Sequence, residues 1–243
     1  MKKKILGFLA VILFTVAGFA QTKEKMDLAL SKGNVVFLVV TEGNTKLSEA
    51  KEMALKAQIK YPKSEVITFD KTDNTNAVLV SKFGLAGAPT PIILVVAANG
   101  VVTGGYVLGE VSPEKLIEAI PTKNQAEALL AFSEGKSAFI ILYKKTMTDK
   151  SFVLDECKKA AAGLNGKVSI VELNLEDKSE SPFLALLKPD MSATTAHLLV
   201  FNAKGQFTDE FQSPVQSAAI IASSRKIISS SCAPGAGSNC CPK

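Results

Sequence analysis

The sequence predicts an α/β protein made of two tandem copies of one unit, each a mixed β-sheet flanked by helices. Three observations carry this expectation. First, segments recur in the same order about 100 residues apart, the signature of a duplicated unit. Ser31 to Val40 matches Ser133 to Leu142, and Pro91 to Tyr106 matches Ala196 to Phe211. Second, within each copy short apolar runs of strand length alternate with stretches of helical periodicity. Third, the chain has 243 residues, room for two small domains once its ends are set aside.

The first copy, residues 21–121, reads in order as follows. A short helix from Glu24 to Ser31 leads through Gly33 to an apolar strand, Val35 to Val40. Leu47 to Lys60 has small or apolar residues at Leu47, Ala50, Ala54 and Ala57, which is helical spacing. Tyr61-Pro62 ends that helix, and Glu65 to Asp70 is the next strand. A helix over Asn76 to Phe83, strand Ile92 to Ala97, a turn at Asn99-Gly100 and strand Val101 to Leu108 follow. Ser112-Pro113-Glu114 combines a cap, an N1 proline and an early acid, and it starts a helix ending near Ile120.

The second copy, residues 122–228, repeats the order. It has helix Asn124 to Ser133, strand Ala138 to Tyr143, helix Ser151 to Leu164 and strand Val168 to Asn174. A short helix near Pro182 to Leu187, strands Leu198 to Phe201 and Gln206 to Phe211, and helix Val215 to Ile228 complete it. The order β-α-β-α-β-β-α fits a mixed sheet covered on both faces.

The two ends read differently. Lys2, Lys3 and Lys4 precede an uncharged, mostly apolar stretch from Ile5 to Ala20, with Gly18 and Ala20 just before Gln21. This is the pattern of a cleaved secretory signal peptide over residues 1–20. The stretch is short for a spanning helix, which needs about 20 apolar residues. The expected product is exported, periplasmic or extracellular, and not stably inserted in a membrane after cleavage. Losing three lysines takes the formal charge from +5 to +2, so most of the basicity is a targeting signal. Arg225 is the sole arginine; bidentate recognition of phosphates and bases leans on arginine, which argues against a nucleic-acid partner. Residues 229–243 are small, polar and rich in Gly and Pro, the composition of a flexible tail.

The segment from Lys82 to Gly105, with its small-residue loop, proline, strand, turn and strand, resembles the signature of the thioredoxin superfamily. The resemblance extends to both copies and implies two tandem thioredoxin-like domains. It places Ala88, Pro89 and Thr90 at that family's cis-proline loop, whose kink exposes a backbone edge for an extended polypeptide or thiol substrate. An X–Pro bond is the one place where a cis peptide is cheap. Setting Phe37 on the family's strand phenylalanine puts its Cys-x-x-Cys positions at Glu42, Gly43, Asn44 and Thr45, and its buried acid at Val36. Thiol exchange needs an attacking thiolate, and none of these residues supplies one. In the second copy the same positions are Lys144, Lys145, Thr146 and Met147, and the proline position falls on Thr194.

The remaining chemistry-bearing residues are few. Cys157 shares a helix face with Val153, Ala160, Ala161 and Leu164, which reads as an inert core thiol. His197 is the only histidine; with no Asp, Glu or Cys beside it in sequence, it reads as structural. Lys144-Lys145 and Lys158-Lys159 read as solvated surface. The tail thiols Cys232, Cys240 and Cys241 have no core to bury them. In an exported protein they tend to oxidise, and adjacent cysteines are badly placed for an unstrained bridge. Cys232 pairing with Cys240 or Cys241 leaves one thiol for an intermolecular disulfide. Three flexible thiols also suit a soft ion such as copper(I) or zinc; no other cofactor is indicated.

By similarity to the non-catalytic domains of protein disulfide isomerases, the leading expectation is a redox-inactive protein that binds an extended polypeptide or partner protein at the proline loop. An enzyme is the less favoured reading. The alternatives are thiol-disulfide exchange through the C-terminal cysteines, and soft-metal binding by the tail.

Overall fold

A computed structural model describes residues 21–43 and 45–228. The leader 1–20, Asn44, and the tail 229–243 with Cys232, Cys240 and Cys241 lie outside the described residues. The described chain is α1 (Gln21–Ser31), β1 (Val35–Thr41), α2 (Leu47–Lys60), β2 (Ser64–Asp70), α3 (Ala77–Lys82), β3 (Ile92–Val96), β4 (Val102–Val107) and α4 (Pro113–Glu118), then α5 (Lys123–Ser133), β5 (Ser137–Tyr143), α6 (Lys150–Gly163), β6 (Val168–Asn174), α7 (Ser181–Leu187), β7 (His197–Phe201), β8 (Phe207–Gln212) and α8 (Ser217–Ser224).

Each half forms one four-stranded sheet, in the order β2-β1-β3-β4 and β6-β5-β7-β8. β1 runs parallel to β2 and antiparallel to β3, and β5 does the same with β6 and β7. This topology, twice over, is the thioredoxin-like fold. The central strands β1 and β5 are apolar apart from Thr41 and Ser137 at their ends, as suits strands covered on both faces; all seven residues of β1 are buried.

The two-residue period of the strand then splits the core in two. Val36, Leu38 and Val40 pack with α1 and α3, while Val35, Phe37 and Val39 pack with α2 and α4. In the second half Ala138, Ile140 and Leu142 face α5 and α7, and Phe139 and Ile141 face α6 and α8. Helix α2 meets the sheet through Ala50, Ala54 and Ala57, small side chains at helical spacing that let it lie close.

The start of α4 follows its sequence signal, and that of α5 carries a cap not read from the sequence. Ser112 accepts from the Lys115 N–H and Pro113 occupies the first turn of α4. Thr122 and Gln125 form a reciprocal capping box at α5, which satisfies two otherwise orphaned donors. The halves touch where Asn99 Nδ2 donates to the Ala126 carbonyl at 2.7 Å, beside buried Ala97, Val101 and Ala126.

The boundaries differ most from expectation at the C-terminal end of the second copy. The last helix, expected over Val215 to Ile228, spans only Ser217–Ser224. Beyond it the chain is held by side chains instead: Asn202 donates to the Lys226 carbonyl and Gln206 to that of Ile228. No helix among the described residues is long and apolar enough to cross a membrane.

Candidate functional site

The loop expected to carry function joins α3 to β3, and it faces the turn after β1. It leaves α3 through Gly84 at φ +64°, a left-handed position that favours glycine, and it closes a tight turn in which the Ala88 N–H donates to the Leu85 carbonyl. Pro89 is exposed, Thr90 is half-buried, and Pro91 is buried at the start of the strand.

The cis bond corrects the sequence reading. It lies at Thr90–Pro91, two residues beyond the Ala88–Pro89 bond expected to be cis. Pro91 directly precedes Ile92, the first β3 residue to pair with β1 and β4. A proline kinking into the strand has to be this one, and the strand start at Ile92 was the available signal. A second cis bond, Ser213–Pro214, lies after β8 and not in the matching loop of the second half.

Opposite the loop, β1 ends at Thr41, and Glu42, Gly43 and Thr45 follow as exposed residues. Gly43 takes φ +63°, and its N–H helps hold the Asp70 carboxyl below the usual range. The larger causes there are the Thr72 hydroxyl and the Thr72 N–H. Lys71, just past β2, reaches into this space with a side chain only 13% exposed. Its ammonium donates to the Ala88 carbonyl at 3.0 Å and lies 3.2 Å from a Glu42 carboxylate oxygen. Among the described residues, the space that a dithiol would share with the proline loop therefore holds an ammonium and a carboxylate. These can bind and orient polar groups, but they offer no thiolate for exchange.

The matching region of the second half keeps Ala193 and Thr195 in the places of Ala88 and Thr90 but replaces both prolines. Thr194 and Thr195 are exposed and Ala196 is buried where Pro91 stands in the first half. Unlike proline, Ala196 has an N–H, and the Asp149 carboxylate accepts it at 3.0 and 3.2 Å. Asp190 in the same loop is held below the usual carboxylate range by the Ser192 hydroxyl and N–H, with smaller contributions from His197 and Lys144. Lys144 does not lie on solvated surface as expected; it is half-buried and hydrogen-bonded to the loop.

His197 is buried, and its Nδ1 lies 2.8 Å from Glu210 of the neighbouring strand. The pair is brought together by the β7–β8 register, so no sequence neighbour announced it. Cys157 is fully buried on α6, and burial, with the Glu156 charge adding to it, pushes its thiol up to about 12. A thiol so raised forms almost no thiolate near neutrality.

No known sequence family matches the chain, and no curated protein matches it. Several solved structures of thioredoxin-like proteins are similar to it at low identity. ERdj5 in its form II crystal is 12% identical with a TM-score of 0.30, and the match covers 82% of this chain. The chain spans only 28% of ERdj5. The first two thioredoxin domains of Naumovozyma dairenensis Eps1p are 11% identical, with a TM-score of 0.32 and coverage of 86% of this chain and 96% of that one. Human ERp44 form II is 10% identical with a TM-score of 0.36, covering 80% and 52%. Superpositions this loose add no argument about function; the fold assignment rests on the strand order of the two sheets.

Proposed function

We propose that the protein is exported and binds an extended polypeptide or a partner protein through the proline loop of its first half, without exchanging thiols there. The observation that carries this reading is the pairing of a kept loop with a lost dithiol. Pro89 is exposed and Thr90 half-exposed beside it, while Glu42, Gly43 and Thr45 stand across from them in place of a nucleophile. Extended segments gain affinity by adding main-chain hydrogen bonds along an exposed backbone edge, which is what such a loop presents. Export follows from the leader pattern at residues 1–20.

The three tail cysteines support a second reading, thiol exchange or soft-metal capture by the tail, and one assay separates binding from exchange. Insulin reduction with dithiothreitol should proceed no faster with the mature protein than without it. Turnover that disappears when Cys232, Cys240 and Cys241 become serine assigns the chemistry to the tail. Turnover that survives those changes contradicts the binding reading.

A further inference from the structure

Both halves hold the same loop carbonyl with a lysine, and the two lysines come from different strands. In the first half the ammonium of Lys71, after β2, donates to the Ala88 carbonyl at 3.0 Å. In the second half the ammonium of Lys144, after β5, donates to the Ala193 carbonyl at 3.0 Å.

The two carbonyls are equivalent. Each belongs to a tight turn whose alanine N–H donates three residues back, Ala88 to Leu85 and Ala193 to Asp190. The lysine positions are equivalent only crosswise. Lys71 N–H donates to the Thr41 carbonyl, and Leu175 N–H donates to that of Tyr143; Lys71 therefore corresponds to Leu175. The residues following Thr41 and Tyr143 are Glu42 and Lys144. The first half thus carries Glu42 with Lys71, and the second carries Lys144 with Leu175. Leu175 is buried in the second core, and the stem of Lys71, itself largely buried, takes that place in the first, as a long lysine can.

We infer that Lys71 and Lys144 are interchangeable positioning residues, each latching the pre-strand loop of its own half, and that in the first half the latch preorganises the backbone edge that the loop presents. Two different solutions to one hydrogen bond mean that the loop carbonyl requires a cation, whichever strand delivers it. The bond is charge-assisted, the stronger class of hydrogen bond, and it forms in a half-buried site where water competes poorly. The latch itself stands on geometry; its use in binding rests on the polypeptide-binding reading above.

A swap tests it on the full mature chain. Lys71→Leu removes the latch, and Glu42→Lys with Lys71→Leu rebuilds it in the second half's form. Hydrogen exchange at the Ala88 amide reports the loop, with the Ala193 amide as internal control. Affinity for an unfolded probe, reduced and carboxamidomethylated α-lactalbumin, reports the edge. Lys71→Leu should speed exchange at Ala88 by roughly 10- to 100-fold, the range expected for losing a hydrogen bond to a charged group. It should weaken probe binding as well, and the double variant should restore both, with Ala193 unmoved throughout. Unchanged exchange in Lys71→Leu, or no recovery in the double variant, overturns the latch. So does a folding defect in Lys71→Leu that the double variant fails to repair. If exchange follows the swap but the probe binds no variant, wild type included, the latch stands and the binding reading fails. If Ala88 loosens while the probe binds as tightly as before, the positioning role is overturned.

Discussion

The first half leads into its third strand through Thr90-Pro91, and the second leads into the matching strand through Thr195-Ala196. The tight turn before each strand is alike, although the Thr90–Pro91 bond is cis and the Thr195–Ala196 bond is not, and the differences in side chain are met by others. Pro91 has no N–H to satisfy; Ala196 has one, and Asp149, the residue before α6, accepts it. At the corresponding position before α2 the first half has Lys46. The helix after β4 starts under the hydroxyl of its own Ser112. The corresponding helix α8 is capped from outside, by Glu156 of α6 accepting the Ser217 N–H at 2.8 Å. The sheet and its helices fix where the loop runs, and the chemistry around the loop is free to change as long as its backbone groups are satisfied.

The largest expected effect tests whether the halves stand alone. Phe37 and Phe139 are fully buried at matching places on the central strands, so either one changed to Ala should cost about 3–5 kcal/mol. In Phe37→Ala, urea unfolding followed by hydrogen exchange should show loss of protection in residues 21–118 while β5 to β8 stay protected. Simultaneous loss in both halves would show one cooperative unit instead of two.

The next effect concerns the alanine that stands where the first half has its proline. Asp149→Ala leaves the buried Ala196 N–H without its acceptor, a cost of about 1–3 kcal/mol. Adding Ala196→Pro removes the orphaned donor, as in the first half, and should recover part of the loss in a denaturation midpoint. A double variant no more stable than Asp149→Ala would break the comparison between the proline and alanine strand starts.

A smaller and conditional effect distinguishes the two final helices. Lys159 above all, then the Ser217 N–H, holds the Glu156 carboxyl below its ordinary range. A carboxyl depressed in the folded state stabilises fully above its unfolded pKa, and that contribution disappears as pH falls through the folded value. Acidification below about pH 4, the usual carboxylate range, should therefore loosen α8 while α4, capped by a serine, keeps its protection. Glu156→Gln should flatten this pH dependence, and equal acid sensitivity of the two helices would contradict the assignment.

Much of this architecture is legible in the sequence because its signals are local. Val35 to Val40 and Ala138 to Tyr143 are short apolar runs of strand length, and Ser112-Pro113 marks a helix start through its own side chains. What is not legible depends on partners far along the chain. Pro89 and Pro91 cannot be ranked without knowing which one meets β1 and β4. Lys144 reads as a solvated charge and Lys71 as nothing in particular, because no neighbour in sequence names the loop carbonyl that each holds. His197 looks isolated until the β7–β8 register sets Glu210 beside it. The thiol-free site was readable, since a missing cysteine needs no geometry, but what fills its place was not.

The central claim is that the two loops share a turn with a lysine-held carbonyl and only the first presents a binding edge. An exchange footprint of the full mature chain with and without carboxamidomethylated α-lactalbumin tests it most directly. Protection should appear at Ala88 and Thr90 and leave Ala193 and Thr195 unchanged. Protection at the second loop, or none at either under saturating probe, would contradict it.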